Sequence, residues 1–477
     1  MGAAAHTSAQ AATEAVSAGA GSEPTRYLCA AVQMDENLSN LLINGILRQE
    51  HRSVAASPDL DLVTVFRHAI AANNRRRLRD ATLFVLLVLA IVLLLWGRGL
   101  LPVLFCYLLA LVVVVGEQLH TRHEVLAGTL SRGRFQPTEA PDPPSHLRPA
   151  LRRVASHGTG NVTVYSGYSP FVGYGAVLDS WSFALDIGRP AEGRTTVRGF
   201  TVEEIHDHIA ARVGELALPG MEVTDRLFVN GLDIRRDTRF LPDPMDRPVD
   251  RVVPDLVRRL MVSAEDRARP YLTIRVVGWR GELALSVFCR FMVNESILFA
   301  EVSYSLLTPL REVYRTVDRV LPTPTVGEVA VLVGRSFGPT AKLTLASPAK
   351  MVRALYAPLS ERTRQARQRR QIERNPFFDY GSLFSPREAA SDNAYDRYFQ
   401  RLDSELYRKV VERRILDSMV AFLDEHDIDT GDLVERQTTI LNQGVMVTGQ
   451  GTLNAQNVAA GSNARAQTNA GSTRSKS

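Results

Sequence analysis

The chain has 477 residues, of which 45% are hydrophobic and 22% charged, and this excludes both a disordered polypeptide and a mini-protein. The 56 basic residues exceed the acids by five, too small a surplus for a nucleic-acid-binding surface. Three distant cysteines, Cys29, Cys106 and Cys289, offer neither a disulfide framework nor a zinc ribbon and fit a reducing compartment.

Residues 1–24 are rich in Ala, Ser and Gly and carry no cation, so they read as a disordered tail without the apolar core of a signal peptide. Residues 25–80 read as a cytoplasmic segment of short helices, one with Leu38, Leu41, Leu42, Ile46 and Leu47, another with Leu62, Val63, Val65, Phe66 and Ile70. That is too little apolar material for an independent core, so the segment should pack on a larger domain or on itself in an oligomer.

Residues 81–116 form the strongest signal. Two uncharged apolar stretches are separated only by Gly97, Arg98 and Gly99. At about 1.5 Å per residue they give helices of roughly 24 and 27 Å, slightly short of a bilayer core of about 30 Å. Hydrocarbon demands that backbone groups pair internally, which makes this a transmembrane helical hairpin. Arg67, Arg75, Arg76, Arg77 and Arg79 precede it and Arg122, Arg132 and Arg134 follow, whereas Arg98 alone occupies the turn. The positive-inside rule then gives a multi-pass plasma-membrane protein with both termini cytoplasmic.

Residues 117–150 should extend the second helix and end in a linker stiffened by Pro137, Pro141, Pro143, Pro144 and Pro149. From 151 to 358 the pattern is that of a cytoplasmic α+β domain. Strands are expected at 162–165, 181–187 and 223–234, a three-stranded antiparallel meander at 271–279, 282–293 and 297–307, and a further strand at 329–333. Helices are expected at 311–320 and 349–357, and a capping box of Thr201 and Glu204 opens another that carries Ile205, Ile209, Val213 and Leu216. Residues 359–390 read as a basic linker, 391–430 as a long amphipathic helix, and 431–477 as a Gly/Asn/Ala-rich tail in which residues 445–455 alternate weakly like a strand. The predicted fold class is therefore α+β: a membrane hairpin, then an antiparallel sheet with packed helices.

Two sets of residues suggest contacts. Tyr165, Gly167, Tyr168, Phe171, Gly173, Tyr174 and Gly175 lie in one loop whose glycines permit positive φ and whose rings could stack on a planar ligand, although a structural hairpin loop accounts for the same pattern. Arg75, Arg76, Arg77 and Arg79, with Arg367, Arg369 and Arg370 from the basic run, could meet anionic headgroups at about 1 kcal/mol per cation. Catalytic signals are missing: the sequence has no Gly-x-Ser-x-Gly elbow, metalloprotease helix or Walker motif, and no metal or cofactor site is expected. His206 and His208 stand on opposing helix faces.

Arg26 to Ala31, the stretch from Gly160 through Gly167 to Phe171, and Asp179 to Phe183 resemble a family of uncharacterised actinobacterial membrane proteins. The resemblance spans residues 26 to about 430 and implies no activity and no site residues. In architecture the chain is similar to the two-span membrane effectors of bacterial conflict systems. The leading expectation is a membrane-anchored binding or sensing protein without catalysis, with the lipid bilayer and either a second copy or a cytoplasmic protein as partners. A pore-forming effector is one alternative. Another is a membrane-tethered hydrolase, which would require Asp179, Asp186, Glu203, Glu204 and His206 to converge beside the glycine loop.

Overall fold

A computed structural model describes residues 23–441. Nearly all of the expected N-terminal tail, and the 442–477 part of the C-terminal one with its alternating segment, lie outside them; Glu23 and Pro24 already form the first turn of a helix.

Helix α1 (Glu23–Met34) is buried along nearly its whole length. Asp35 then caps α2 (Glu36–Leu42) by accepting hydrogen bonds from the Asn37 and Leu38 amides. Asp61 caps α3 (Leu62–Leu95), which runs 34 residues without a break from the folded part into the hairpin. Gly97 and Gly99 make the turn, both at positive φ, and α4 (Leu100–Leu119) returns and continues as a wider helical coil, His120–Thr129. Helices α3 and α4 are long and apolar enough to cross a membrane. After α5 (Arg148–Gly158) the sheet begins.

Six strands, β1 (Val162–Tyr165), β2 (Ala176–Asp186), β3 (Met221–Asn230), β4 (Ala268–Gly278), β5 (Leu283–Val293) and β6 (Ile297–Leu307), pair in the order β1-β3-β4-β5-β6-β2. The sheet is mixed rather than antiparallel as expected, because β1 lies parallel to β3, with Val164 opposite Val229. Between β1 and β3 the chain passes through β2 and then α6 (Val202–Gly214), a path long enough for the parallel return that a tight hairpin could not make. Thr201 and Glu204 do form the capping box of α6.

On one face of the sheet α6, α7 (Pro254–Val262) and α9 (Tyr398–Glu425) bury Ile205, Ile209, Leu260, Ile415 and Met419 against Leu227, Ile274, Val287 and Val302. On the other face Phe228, Tyr271 and Phe288 gather with Phe171, Tyr174 and Ala56. A second apolar core joins α1, α2 and the start of α3 to Leu126, Leu151, Tyr314 and Val317, so the N-terminal helices share a core with chain that follows the hairpin and the sheet.

Three expected elements change. Residues 311–320 form a 3₁₀ segment, Glu312–Arg319. The expected strand at 329–333 and helix at 349–357 belong to one helix, α8 (Val326–Arg374), opened by a capping box of Thr325 and Glu328. Val329, Val331 and Val333 imitate strand alternation, but Leu332 packs on Leu111 and Val115 of α4, and this tertiary contact overrides the β-branched preference. The stretch expected as a basic linker is helical as far as Arg374. Helix α10 (Gly431–Leu441) closes the described chain.

Candidate functional site at the base of the hairpin

Where the apolar hairpin leaves the folded part, polar side chains form a collar. Arg75 of α3 lies 3.2 Å from Glu117 of α4 and donates to the Gln33 side chain at 2.8 Å. Arg79 pairs with Asp80 at 2.8 Å and Glu117 at 3.5 Å, and Lys350 of α8 reaches Asp80 at 3.0 Å. Arg76 is buried and donates to the Val32 and Gln33 carbonyls at the C-terminal end of α1, where the helix dipole favours a cation. Of the arginines singled out beside the hairpin, Arg75, Arg76 and Arg79 thus spend their donors on protein, while Arg77 is exposed. Arg367, Arg369 and Arg370 are exposed on the last turns of α8.

Next to the collar opens a cavity of about 640 Å³ between α1, α3, α4, the 3₁₀ segment and α8. Arg122, His123, Arg319, Glu36, Glu117 and Glu328 stand among its walls. His123 directs Nδ1 to the Leu321 carbonyl at 2.8 Å, and capping contacts with Thr325 hold the Glu328 carboxyl below its ordinary value. A wall of mixed, partly committed charges can hold a polar ligand or a partner segment. A second joint lies close in the fold. Arg26 meets Glu23 at 2.6 Å and Asp318 at 2.7 Å, and the Tyr27 hydroxyl donates to Asp318 at 2.7 Å. Burial opposes ionisation of Asp318, but the hydrogen bonds from Arg26 and Tyr27 outweigh it and keep the carboxyl below its usual range. Burial, followed by the bond to Asp318, pushes the Tyr27 phenol up to about 12.

The glycine loop is occupied by its own fold. Phe171 stacks on Phe288 with ring centroids 4.0 Å apart, and Tyr174 is fully buried beside it. The Gly173 and Gly175 amides both donate to Glu388 at 2.8 Å. Each of these two glycines has positive φ, and a Cβ there would strike the carbonyl of Ala56 or of Leu306. Tyr165 ends β1 half-buried, and only Gly167 and Tyr168 sit at the open tip, the tyrosine entirely exposed.

The acids required for a hydrolase do not meet at this loop. Asp179 pairs with Arg408 at 3.4 Å, Asp186 caps the Gly188 amide at 2.9 Å, Glu204 caps α6, and His206 contacts Asp225 at 2.7 Å. Glu203 lies in the first turn of α6. His120 faces Glu124 at 2.6 Å. Among the described residues no group of three or more His, Cys, Asp or Glu is arranged to hold a metal ion.

Several buried polar residues have no local signature in the sequence. Arg387 is fully buried and donates to the carbonyls of Pro58, Gly281 and Glu282, and its burial pulls the guanidinium down to about 10. Glu412 of α9 accepts from Tyr304 at 2.8 Å and from the Trp181 indole at 3.3 Å, with burial raising its pKa despite both donors. Their partners lie more than one hundred residues away along the chain, so neither spacing nor composition could reveal them.

Fold and collar define an α+β protein fastened by ion pairs to a bare apolar hairpin. The chain belongs to the AbeC-like domain family, whose signature matches residues 180–456, the part from β2 onward. No curated protein matches the chain. Neither does any solved structure.

Proposed function

We propose that this chain is a two-span plasma-membrane protein of bacteria, with both termini cytoplasmic, that binds or senses a partner through its α+β part and works as an oligomer. One observation carries this reading: the hairpin presents Leu95, Trp96, Leu100, Leu101 and Phe105 outward, all more than half exposed. Apolar surface on that scale is not left facing water by a monomeric soluble fold. Trp96 and Arg98 at the turn suit a far interface, and the arginines flanking the base suit the cytoplasmic side. The binding role rests on the basal cavity, whose walls come from both hairpin helices, α1 and α8, so an occupant there would touch span and domain together. The three motifs that resemble actinobacterial two-span proteins agree with this placement.

Fractionation of cells expressing the full chain, with tags at both ends and in the turn, tests the reading. Resistance to carbonate extraction, release by detergent, and protease access to the turn tag alone from outside are expected. Recovery in the wash, or accessible end tags, defeats it.

A further inference from the structure

Helix α8 carries a feature that a two-span anchor does not require. Between Glu328 and Glu361 it contains no acid, and its cations are Arg335, Lys342, Lys350 and Arg353. One face is committed to the hairpin. Leu332 and Leu343 pack on α3 and α4, Ser336 reaches Gln118 at 3.4 Å, the Tyr107 hydroxyl donates to the Phe337 carbonyl at 2.6 Å, and Lys350 holds Asp80. The opposite face presents Val331, Leu345, Val352, Leu355, Tyr356 and Leu359 to the outside, with Leu345 and Leu355 about 70% exposed. Arg335, Lys342 and Arg353 fall along one edge of this stripe at helical spacing.

These contacts place α8 against the hairpin from its base, at Val115 and Leu111 on α4 and Leu83 on α3, to its middle, at Ala110 and Tyr107 on α4. Its bare apolar stripe is therefore continuous with the apolar surface of the hairpin. Beyond Leu359 the same helix turns strongly basic, and Arg362, Arg364, Arg367, Arg369, Arg370 and Arg374 are all exposed. An apolar stripe edged by cations, too polar to cross and extended by a basic end, is the pattern of a helix lying in the interfacial plane of an anionic bilayer.

We infer that α8 is a third membrane element: it lies in the cytoplasmic interface with Leu345, Val352, Leu355 and Leu359 among the acyl chains and its terminal arginines on anionic headgroups. This rests on the membrane anchoring proposed above. The occupant of the stripe is lipid, since the neighbouring basic run would set two copies against each other by charge repulsion.

The test uses the full chain with Cys29, Cys106 and Cys289 replaced by alanine, reconstituted at one copy per lipid nanodisc containing phosphatidylglycerol. An environment-sensitive fluorophore is attached at Leu345→Cys, Val352→Cys or Leu359→Cys, with Ile91→Cys as the hairpin reference and Arg259→Cys as the water reference. In discs made with brominated lipid, the three α8 labels should lose fluorescence to the same extent as the label at 91, and the label at 259 should lose none. Replacing phosphatidylglycerol with phosphatidylcholine should lessen the loss at 359 and leave that at 91 unchanged. If 91 is quenched while the α8 sites behave like 259, the inference fails and the anchor stands. If 91 itself is not quenched, the anchor reading fails first. Quenching at the α8 sites that is indifferent to headgroup charge overturns the assignment of the basic end.

Discussion

Lys350 sets its Nζ 3.0 Å from the carboxylate of Asp80, pinning α8 to α3 one residue before the apolar run of the hairpin begins. Asp80 is nearly buried and also takes the Arg79 guanidinium, so the pair is screened less than a surface bridge. A double-mutant cycle of Asp80→Ala and Lys350→Ala should give a coupling energy of about 1 kcal/mol, with Asp80→Ala the costlier single change because it also takes from Arg79 the nearer of its two carboxylates and leaves it Glu117 alone. Denaturant unfolding in mild micelles measures this, and strictly additive single effects would show the pair to be idle.

The glycine loop separates steric demand from conformational demand. Gly173→Ala and Gly175→Ala should each cost at least about 2 kcal/mol, because a methyl there meets backbone as well as a left-handed φ. Gly167→Ala has open space around it and should cost only about 1 kcal/mol from its φ of 81°. Glu388→Ala, which leaves two amides without their acceptor, should cost about 1–3 kcal/mol. Thermal melts of the four variants give the order, and equal losses at 167 and 173 would contradict it.

How far the sequence disclosed this protein depended on whether the deciding contact was local. The hairpin, the meander and the Thr201–Glu204 cap are written within short windows, and the strand limits of β5 and β6 fall within a residue of those expected. The start of helix α8 is hidden in the sequence because Val329, Val331 and Val333 alternate like a strand, and the packing of Leu332 that decides the matter is remote. The parallel seat of β1 and the roles of Arg387, Glu388 and Glu412 depend wholly on distant partners. The glycines were visible as a loop, but not that Phe171 and Tyr174 would fold back onto the sheet.

Glu412 gives a pH dependence with a definite sign. Burial raises its pKa in the folded chain, so the folded state binds the proton more tightly than the unfolded one. Its contribution to stability is therefore full below the ordinary glutamate value of about 4.3 and is lost as pH rises through the folded value. Glu412→Gln keeps an acceptor for Tyr304 and Trp181 and removes the titration. As the pH falls from 7 to 4, the melting temperature of wild type should rise relative to that of this variant. A constant difference across that interval would show that Glu412 ionises normally.

Cys29 and Cys289 are fully buried, and burial raises both thiols well above their usual range, while Cys106 is 3% exposed between helices. Thiolate is the reactive form, so the native chain at neutral pH should take up no soluble thiol reagent over minutes, and all three sites should react after denaturation. Stoichiometric labelling of the native chain would mean that one of these sites opens.

One continuous rod of about 50 Å begins among Val65 and Phe66, deep in a shared core, and ends at Leu95 in the open. Stiffness of that kind makes leverage: a swing of the distal tip cannot be absorbed by a hinge along the way, so it must pry at the packing around Tyr314 and Val317 or not occur at all.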